Sequence, residues 1–434
     1  MSQPIPLDLP AWLRLLEQRH PRSIELGLER CARVRDRLGW HRLPFALLIV
    51  SGTNGKGSAV ALLEACVRAG GYRTGAYTSP HLQRYNERVR VDGEAVSDAT
   101  LCAAFERVEA ARGDTPLTYF ETGTLGAMAV FLEAAPEVVI LEVGLGGRLD
   151  AVNMFDGDGA LMTSVDLDHR DWLGDDIAVI GREKAGVFRA ARPAVCADPR
   201  APATVAATAA TVGARFILAG RDYRWARSGD TWRWAGDGLV LEGLPPPALP
   251  GDHQLRNAAG AIALLHALRG RVPLPTQAIH DGLSRVRLEG RLELRDGPVR
   301  WLYDVAHNPE AARALAAFLA GHRGDGRILA IFSMLADKDI AATVAAVAAL
   351  VDGWWLPQLD TPRAAPVTEI LARVADGCPG VPVAAFESPR AALEDLGHQL
   401  REGDTVVVFG SFITVAEVKR LESSTATPET PSHG

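Results

Sequence analysis

Short apolar runs alternate with amphipathic segments along most of the chain. Phe45–Val50 (FALLIV) is continuously apolar and ends at a glycine turn, the pattern of a strand buried on both faces. A helix is predicted from about Ser58, with apolar positions 59, 62, 63, 66 and 67 on one face and Glu64 and Arg68 elsewhere. Val138–Val143 (VVILEV) reads as a second buried strand. Ala160–Ser164 reads as a third and runs into Asp166, Leu167, Asp168 and His169. Strands that alternate with helices indicate a parallel α/β fold. Between Arg221 and Gly251 the chain turns rich in Trp, Gly and Pro, which predicts short antiparallel strands and then a proline-rich turn (LPPPALPG). A helix follows from about Asn257. The α/β pattern restarts near Leu288–Leu294 (LEGRLEL), with strands at Val299–Tyr303, Ile328–Phe332 and Thr405–Phe409 and helices after the first two. Two domains are therefore expected, 1–290 and a smaller, doubly wound, Rossmann-like one over 291–421. The tail 422–434 (ESSTATPETPSHG) lacks apolar residues and is expected to be disordered.

Composition narrows the class. A chain of 434 residues is too long for one ordinary domain, and 47% apolar with 23% charged residues is ordinary for a soluble protein. The net charge of −7 supplies no basic field for nucleic acid. The longest apolar run, near Ile340–Val351, falls short of the roughly 20 residues a membrane span needs. The N-terminal segment has Pro and Asp where a signal peptide has basic and then long apolar stretches. Five scattered cysteines without a C-x-x-C pair suggest neither a disulfide framework nor a zinc site, and a reduced cytoplasmic compartment is expected.

The sharpest chemical signal lies between the first strand and its helix. Gly52, Thr53, Asn54, Gly55, Lys56, Gly57 and Ser58 form a glycine-rich loop whose N–H groups can converge on one anion. The helix N-terminus adds positive potential, Lys56 a full charge for β/γ phosphates, and Ser58 a hydroxyl for a metal or a phosphate oxygen. One residue separates Lys56 from Ser58, so the spacing departs from G-x-x-x-x-G-K-[ST]. Ser79, Glu142 and His169 each fall just after a predicted strand, where ligand-binding loops of an open parallel sheet gather. Magnesium would suit them, since it takes hard oxygen ligands and keeps several waters. An ion pair for Glu142 and a loop cap for His169 suit those positions equally well. In Asp304-Val305-Ala306-His307-Asn308-Pro309, Asn308 and Pro309 suit a helix start, which leaves Asp304 and His307 as candidate ligand contacts.

SGTNGKGS resembles the phosphate loop of the Mur-ligase superfamily. Further motifs place the likeness in its folylpolyglutamate synthase/dihydrofolate synthase branch: TSPHLQRYNERVRVDG, TYFETGTL, LEVGLGGRLDAVN, LDHRDWLG, GREKAGVF, HQLRNAAGA, EGRLE, DVAHNPEAA and FGSFITV. The likeness runs from Trp12 to about Leu421. It implies a P-loop Mur-ligase-type central domain with a mostly parallel sheet and a smaller C-terminal domain. It implies an ATP-dependent ligase that joins L-glutamate to dihydropteroate and to reduced folates through an acyl phosphate. By the same resemblance, Ser79, Glu142 and His169 surround magnesium. Lys184, which alone reads as a surface lysine beside Glu183, is carbamylated and helps hold a second ion. Asn257, Arg291, Asp304 and His307 hold the nucleotide, with Arg291 at the junction between the domains, where closure would bring it to a phosphate. Thr118, Phe120 and Asp150 hold dihydropteroate, although core packing is the commoner fate of a Phe. Val152 departs from the usual GGRLDATN, which removes a hydroxyl near Asp150. Gly410, Ser411 and Phe412 are candidates for the glutamate pocket. A monomer is expected.

Two rival readings are weaker. Other Mur-type ligases carry an N-terminal nucleotide-sugar domain, and the phosphate loop here begins only about 50 residues in. A P-loop switch would carry an N-K-x-D guanine motif, which the chain lacks after the loop.

Overall fold

A computed structural model describes residues 8–20 and 25–425. The chain divides into two compact units. One takes the residues up to Ala248 together with Gln254–Arg287; the other takes Leu249–His253 and the residues from Leu288 on.

The first unit is built on an eight-stranded sheet. Its strands are β1 (Ala46–Ser51), β2 (Thr74–Tyr77), β3 (Val89–Val91), β4 (Glu94–Ala95), β5 (Val138–Glu142), β6 (Gly159–Met162), β7 (Pro193–Cys196) and β8 (Arg215–Leu218), in the order β4-β3-β2-β5-β1-β6-β7-β8. Only the β2–β3 and β3–β4 pairings are antiparallel. Strand β1 is buried along its whole length and pairs in parallel with β5 (Val50 opposite Glu142) and β6 (Ser51 opposite Met162). A parallel strand covered on both faces must be apolar throughout, which explains the unbroken ALLIV and VVILE runs. Because β5 and β6 flank β1, the loops after these three strands open at one end of the sheet, the usual ligand end of a doubly wound fold.

The helix after β1 covers Lys56–Ala69, beginning two residues before the expected Ser58. It is buried nearly all round, and Glu64, expected off the core face, is 5% exposed. Arg90 of β3 reaches its carboxylate, with Nη2 at 2.8 Å and Nε at 3.1 Å, the pairing a buried carboxylate needs. The Trp-rich segment forms an antiparallel sheet of β9 (Tyr223–Ser228), β10 (Thr231–Gly236) and β11 (Leu239–Leu244), as expected. Trp232 and Trp234 point inward, and the indole N–H of Trp234 donates to the Ala259 carbonyl at 3.1 Å. The next helix starts at His253, a turn earlier than Asn257, and runs to Ala267.

The second unit carries β12 (Glu293–Arg295), β13 (Arg300–Tyr303), β14 (Ile328–Phe332), β15 (Gly353–Pro357), β16 (Val383–Phe386) and β17 (Thr405–Phe409), in the order β12-β13-β17-β14-β15-β16. Only β12 runs antiparallel to its neighbour. Asn308 caps the helix Pro309–Gly321 as its residue type predicts, its Oδ1 accepting from Ala311 N at 3.0 Å. The disordered tail expected from residue 422 is corrected over its first four positions. The last helix runs Phe412–Thr425, and Glu422 accepts a hydrogen bond from the Tyr303 hydroxyl. Burial pushes the Glu422 carboxyl up to about 7, so a residue that reads as solvated is engaged at the helix end. The remainder of the tail lies outside the described residues. No helix among the described residues is long and apolar enough to cross a membrane, and all five cysteines are free.

Candidate active site

The glycine loop follows β1 with the backbone geometry its sequence demands. Gly52 has φ 138° and Gly55 φ 84°, left-handed conformations that side chains disfavour. Gly55 is the N-cap of the helix Lys56–Ala69, and no side chain caps it, so the first N–H groups of that helix are left for a ligand. A Cβ on Gly55 would lie 2.8 Å from Asn257 Oδ1, so Asn257 packs directly on the loop. Asn257 is fully buried, its Nδ2 donates to Gln254 at 3.0 Å, and its Oδ1 has no partner. A buried amide oxygen without a donor is costly and marks a place where a ligand donor fits. Gln254 in turn donates to Ser58 Oγ at 3.3 Å. Lys56 folds over the loop, with Nζ 3.1 Å from the Gly52 carbonyl and 3.0 Å from that of Thr53.

Residues after β6 knit the loop from the other side. Thr163 Oγ1 donates to the Asn54 carbonyl at 2.6 Å, and Ser164 Oγ accepts from Asn54 N at 3.0 Å. Thr53 Oγ1 donates to the Asp166 carbonyl and accepts from the Asp166 N–H, both at 3.0 Å. Lys184 is no surface residue: it is 3% exposed, and its Nζ donates to the Gly52 carbonyl at 3.1 Å. Burial beside the loop corrects the reading from its local sequence.

The Ser79 N–H donates to Glu142 Oε2 at 3.2 Å, which brings two of the three expected metal residues together at the ends of β2 and β5. Glu142 is 4% exposed at the last position of β5, a place where a carboxylate needs cationic or hydrogen-bonding company. His169 stands on the loop after β6 with φ 51°, its ring 3.9 Å from the Asp168 carboxylate. The buried Glu142 carboxylate and the half-buried Ser79 hydroxyl supply oxygen donors of the kind a hard divalent ion takes.

Thr118 caps the helix Tyr119–Ala134 in a capping box with Glu121, and Arg30 grips Glu121 at 2.8 Å. Phe120 leans over Gly144, where a Cβ would lie 2.6 Å from its ring, and stands 6.0 Å from the Tyr77 ring. Asp150 reaches the same turn, accepting from the N–H groups of Gly144 (3.1 Å), Leu145 (2.9 Å) and Val152 (3.0 Å). Val152 thus supports Asp150 through its backbone despite lacking a hydroxyl. Burial raises the Asp150 carboxyl to about 6, against the pull of these three N–H groups and of Lys56. Phe120 and Asp150 are therefore neighbours, an aromatic face beside an acceptor.

A second cluster lies in the second unit. Asp304 is buried and accepts from Leu292 N and Ala306 N, each at 2.8 Å. Burial raises its carboxyl, and Arg291 pulls the other way. The Arg291 guanidinium sits 4.9 Å from the Phe412 ring centroid, and the His307 ring is 6.3 Å from the same ring. Phe412, a candidate for the glutamate pocket, thus stands beside two residues expected at the nucleotide. Thr163, Ser164, Gln254 and Arg30 also line these clusters, although none stands out as a site residue in the sequence. The first two directly follow β6, and T-x-x-E at Thr118–Glu121 was a readable capping signature.

A phosphate loop on a parallel sheet, with a second parallel-sheet unit following, is the architecture shared with ligases of the Mur type, and comparison with known proteins places the chain in that class. Residues 290–412 match the family described as Mur ligase, glutamate ligase domain. The chain is 42% identical over 413 residues to the Escherichia coli (strain K12) dihydrofolate synthase/folylpolyglutamate synthase, covering 95% of each chain. It superposes on Escherichia coli FolC in complex with DHPP and ADP with a TM-score of 0.92 at 41% identity, covering 98% of this chain and 100% of that one. A bifunctional folylpolyglutamate synthase/dihydrofolate synthase with Mn, AMPPNP and L-glutamate bound superposes with a TM-score of 0.89 at 42% identity, covering 98% and 100%. The chain belongs to the dihydrofolate synthase/folylpolyglutamate synthase family.

Proposed function

We propose that this chain uses ATP to join L-glutamate to dihydropteroate, and further glutamate to the γ-carboxylate of reduced folates. The observation that carries the reading is the uncapped helix start at Gly55 beside the orphaned Asn257 oxygen, a built anion-and-donor site on the phosphate loop. A carboxylate is a poor acyl donor because its leaving group is oxide. Attack of its oxygen on the γ-phosphorus of ATP releases ADP and leaves an acyl phosphate. The amine of glutamate then forms the amide, and phosphate departs. The chain's part is to align reactants and to neutralise charge.

We assign Gly52–Ser58 and Asn257 to the nucleotide, with Lys56 facing its phosphates. Arg291, Asp304 and His307, gathered in the second unit, we assign to nucleotide as well. Ser79, Glu142 and His169 would hold magnesium, which would supply positive charge to the phosphate oxygens. Carbamylation of Lys184 would convert its buried amine to an anion suited to a second ion. Thr118, Phe120 and Asp150 we assign to the pteridine, Phe120 by ring stacking and Asp150 by accepting ring N–H groups.

Phosphate release by the purified protein tests the reading. Release that requires ATP, magnesium, glutamate and either dihydropteroate or tetrahydrofolate is expected. Release with tetrahydrofolate alone would restrict the activity to polyglutamylation and remove the pteroate assignment. Release with neither pteridine would reject it.

A further inference from the structure

Arg88, just before β3, and Arg90, within it, live in different surroundings. Arg90 meets the buried Glu64 carboxylate and also donates to Thr78 Oγ1 at 3.2 Å and to the Glu87 carbonyl at 3.3 Å. Arg88 has no carboxylate. Its Nε–H donates to His81 Nδ1 at 2.8 Å, and its guanidinium carbon lies 5.1 Å from the Tyr85 ring centroid and 5.6 Å from that of Tyr119. Neither of its terminal nitrogens finds an acceptor among the described residues. Ring faces and an imidazole lone pair hold a guanidinium in place without neutralising it. The free edge is the planar fork that matches a carboxylate with two parallel hydrogen bonds.

Position gives that fork a target. The Arg88 carbonyl accepts from Thr78 N at 2.9 Å, which sets Arg88 across from the residue before Ser79. Ser79 reaches Glu142, and Tyr77 stands beside Phe120. Burial pushes the Tyr77 phenol up to about 12; Arg88 pulls it down and Asp150 adds to the rise, so both charges act on this one ring. Arg88 therefore shares the sheet end with the residues assigned to pteridine and metal. We propose that Arg88 receives the reactive carboxylate of the pteridine acceptor and holds both of its oxygens while one attacks the γ-phosphorus. The new bond is oxygen to phosphorus, the broken bond is that from phosphorus to the β-bridging oxygen, and its electron pair leaves with ADP. Arg88 gives up no proton. His81 is a positioning residue that turns the fork. The inference rests on the pteridine–glutamate ligase reading.

Equilibrium binding without ATP separates this role from a structural one. Fluorescence titration would compare dihydropteroate with its decarboxylated analogue in wild type, Arg88→Gln and Arg88→Lys. Arg88→Gln should weaken dihydropteroate about 10- to 100-fold, the scale of a lost charge-assisted pair, and leave the analogue unchanged. Arg88→Lys, which keeps the charge without the fork, should fall between. Equal weakening of both ligands would make Arg88 a mere wall and overturn the proposal, as would an unchanged preference for the acid. If Arg88→Gln does not fold, judged by its melting curve, Arg88→Lys decides by the same comparison. A wild type that binds and turns over dihydropteroate while the variants keep the preference sinks only this inference. A wild type that binds neither ligand sinks the ligase reading with it.

Discussion

Asp150 shows how one side chain can serve both the fold and a ligand. Its oxygens accept three backbone N–H groups at 2.9 to 3.1 Å and so shape the turn under Phe120. A carboxylate has about four lone-pair sites, which leaves one for a pteridine N–H. Because burial raises this carboxyl to about 6, it is ionised above that pH and takes up a proton below it. The protonated form is the poorer acceptor. Affinity for dihydropteroate should therefore fall as pH drops through about 6. Asp150→Asn, with no charge to lose, should bind more weakly and without that inflection, as titrations from pH 5 to pH 8 would show. Single residues were legible in the sequence where the motif itself carried the chemistry, as in Gly52, Gly55 and Lys56. They were not legible where a distant strand supplies the partner. Glu64 reads as lying off the apolar face because its partner Arg90 lies far along the chain, and Arg88 carries no local signal because its aromatic and imidazole neighbours meet only in three dimensions.

At the scale of elements, the turn from β1 into the helix Lys56–Ala69 depends on Gly55. A side chain there meets both a left-handed φ of 84° and the Asn257 amide at 2.8 Å. The left-handed conformation alone costs about 1–2 kcal/mol. Gly55→Ala should raise the ATP KM by roughly tenfold or more while leaving far-UV dichroism unchanged. An unaltered KM for ATP would mean that the loop does not hold the nucleotide. The expected strands β1, β5, β6, β14 and β17 were found within a residue or two, since a strand buried on both faces leaves an unbroken apolar signal. Strands β15 and β16 were not anticipated. GWWLP carries a glycine and a proline at its ends, and VAAF is short and only half buried, so neither shows a clear period. The final helix, Phe412–Thr425, was not anticipated, and its last residues, ESST, lack apolar positions. Its end is engaged through the Glu422–Tyr303 hydrogen bond rather than by burial of a face.

For the whole molecule, the two units repeat one solution. Each puts a parallel sheet with an antiparallel edge under its own cluster of ionisable side chains: Lys56, Glu142, Asp150 and Lys184 in the first, Arg291, Asp304 and His307 in the second. The ligation chemistry requires that one acceptor oxygen pass to phosphate when the amide forms. Dihydropteroate labelled with oxygen-18 in its carboxylate, incubated with the protein, ATP, magnesium and glutamate, tests this most directly by mass spectrometry of both products. The expected pteridine product is heavier by one glutamyl residue and lighter by one labelled oxygen, with that label in the released phosphate. Unlabelled phosphate, or ATP hydrolysis without a glutamylated product, would contradict it.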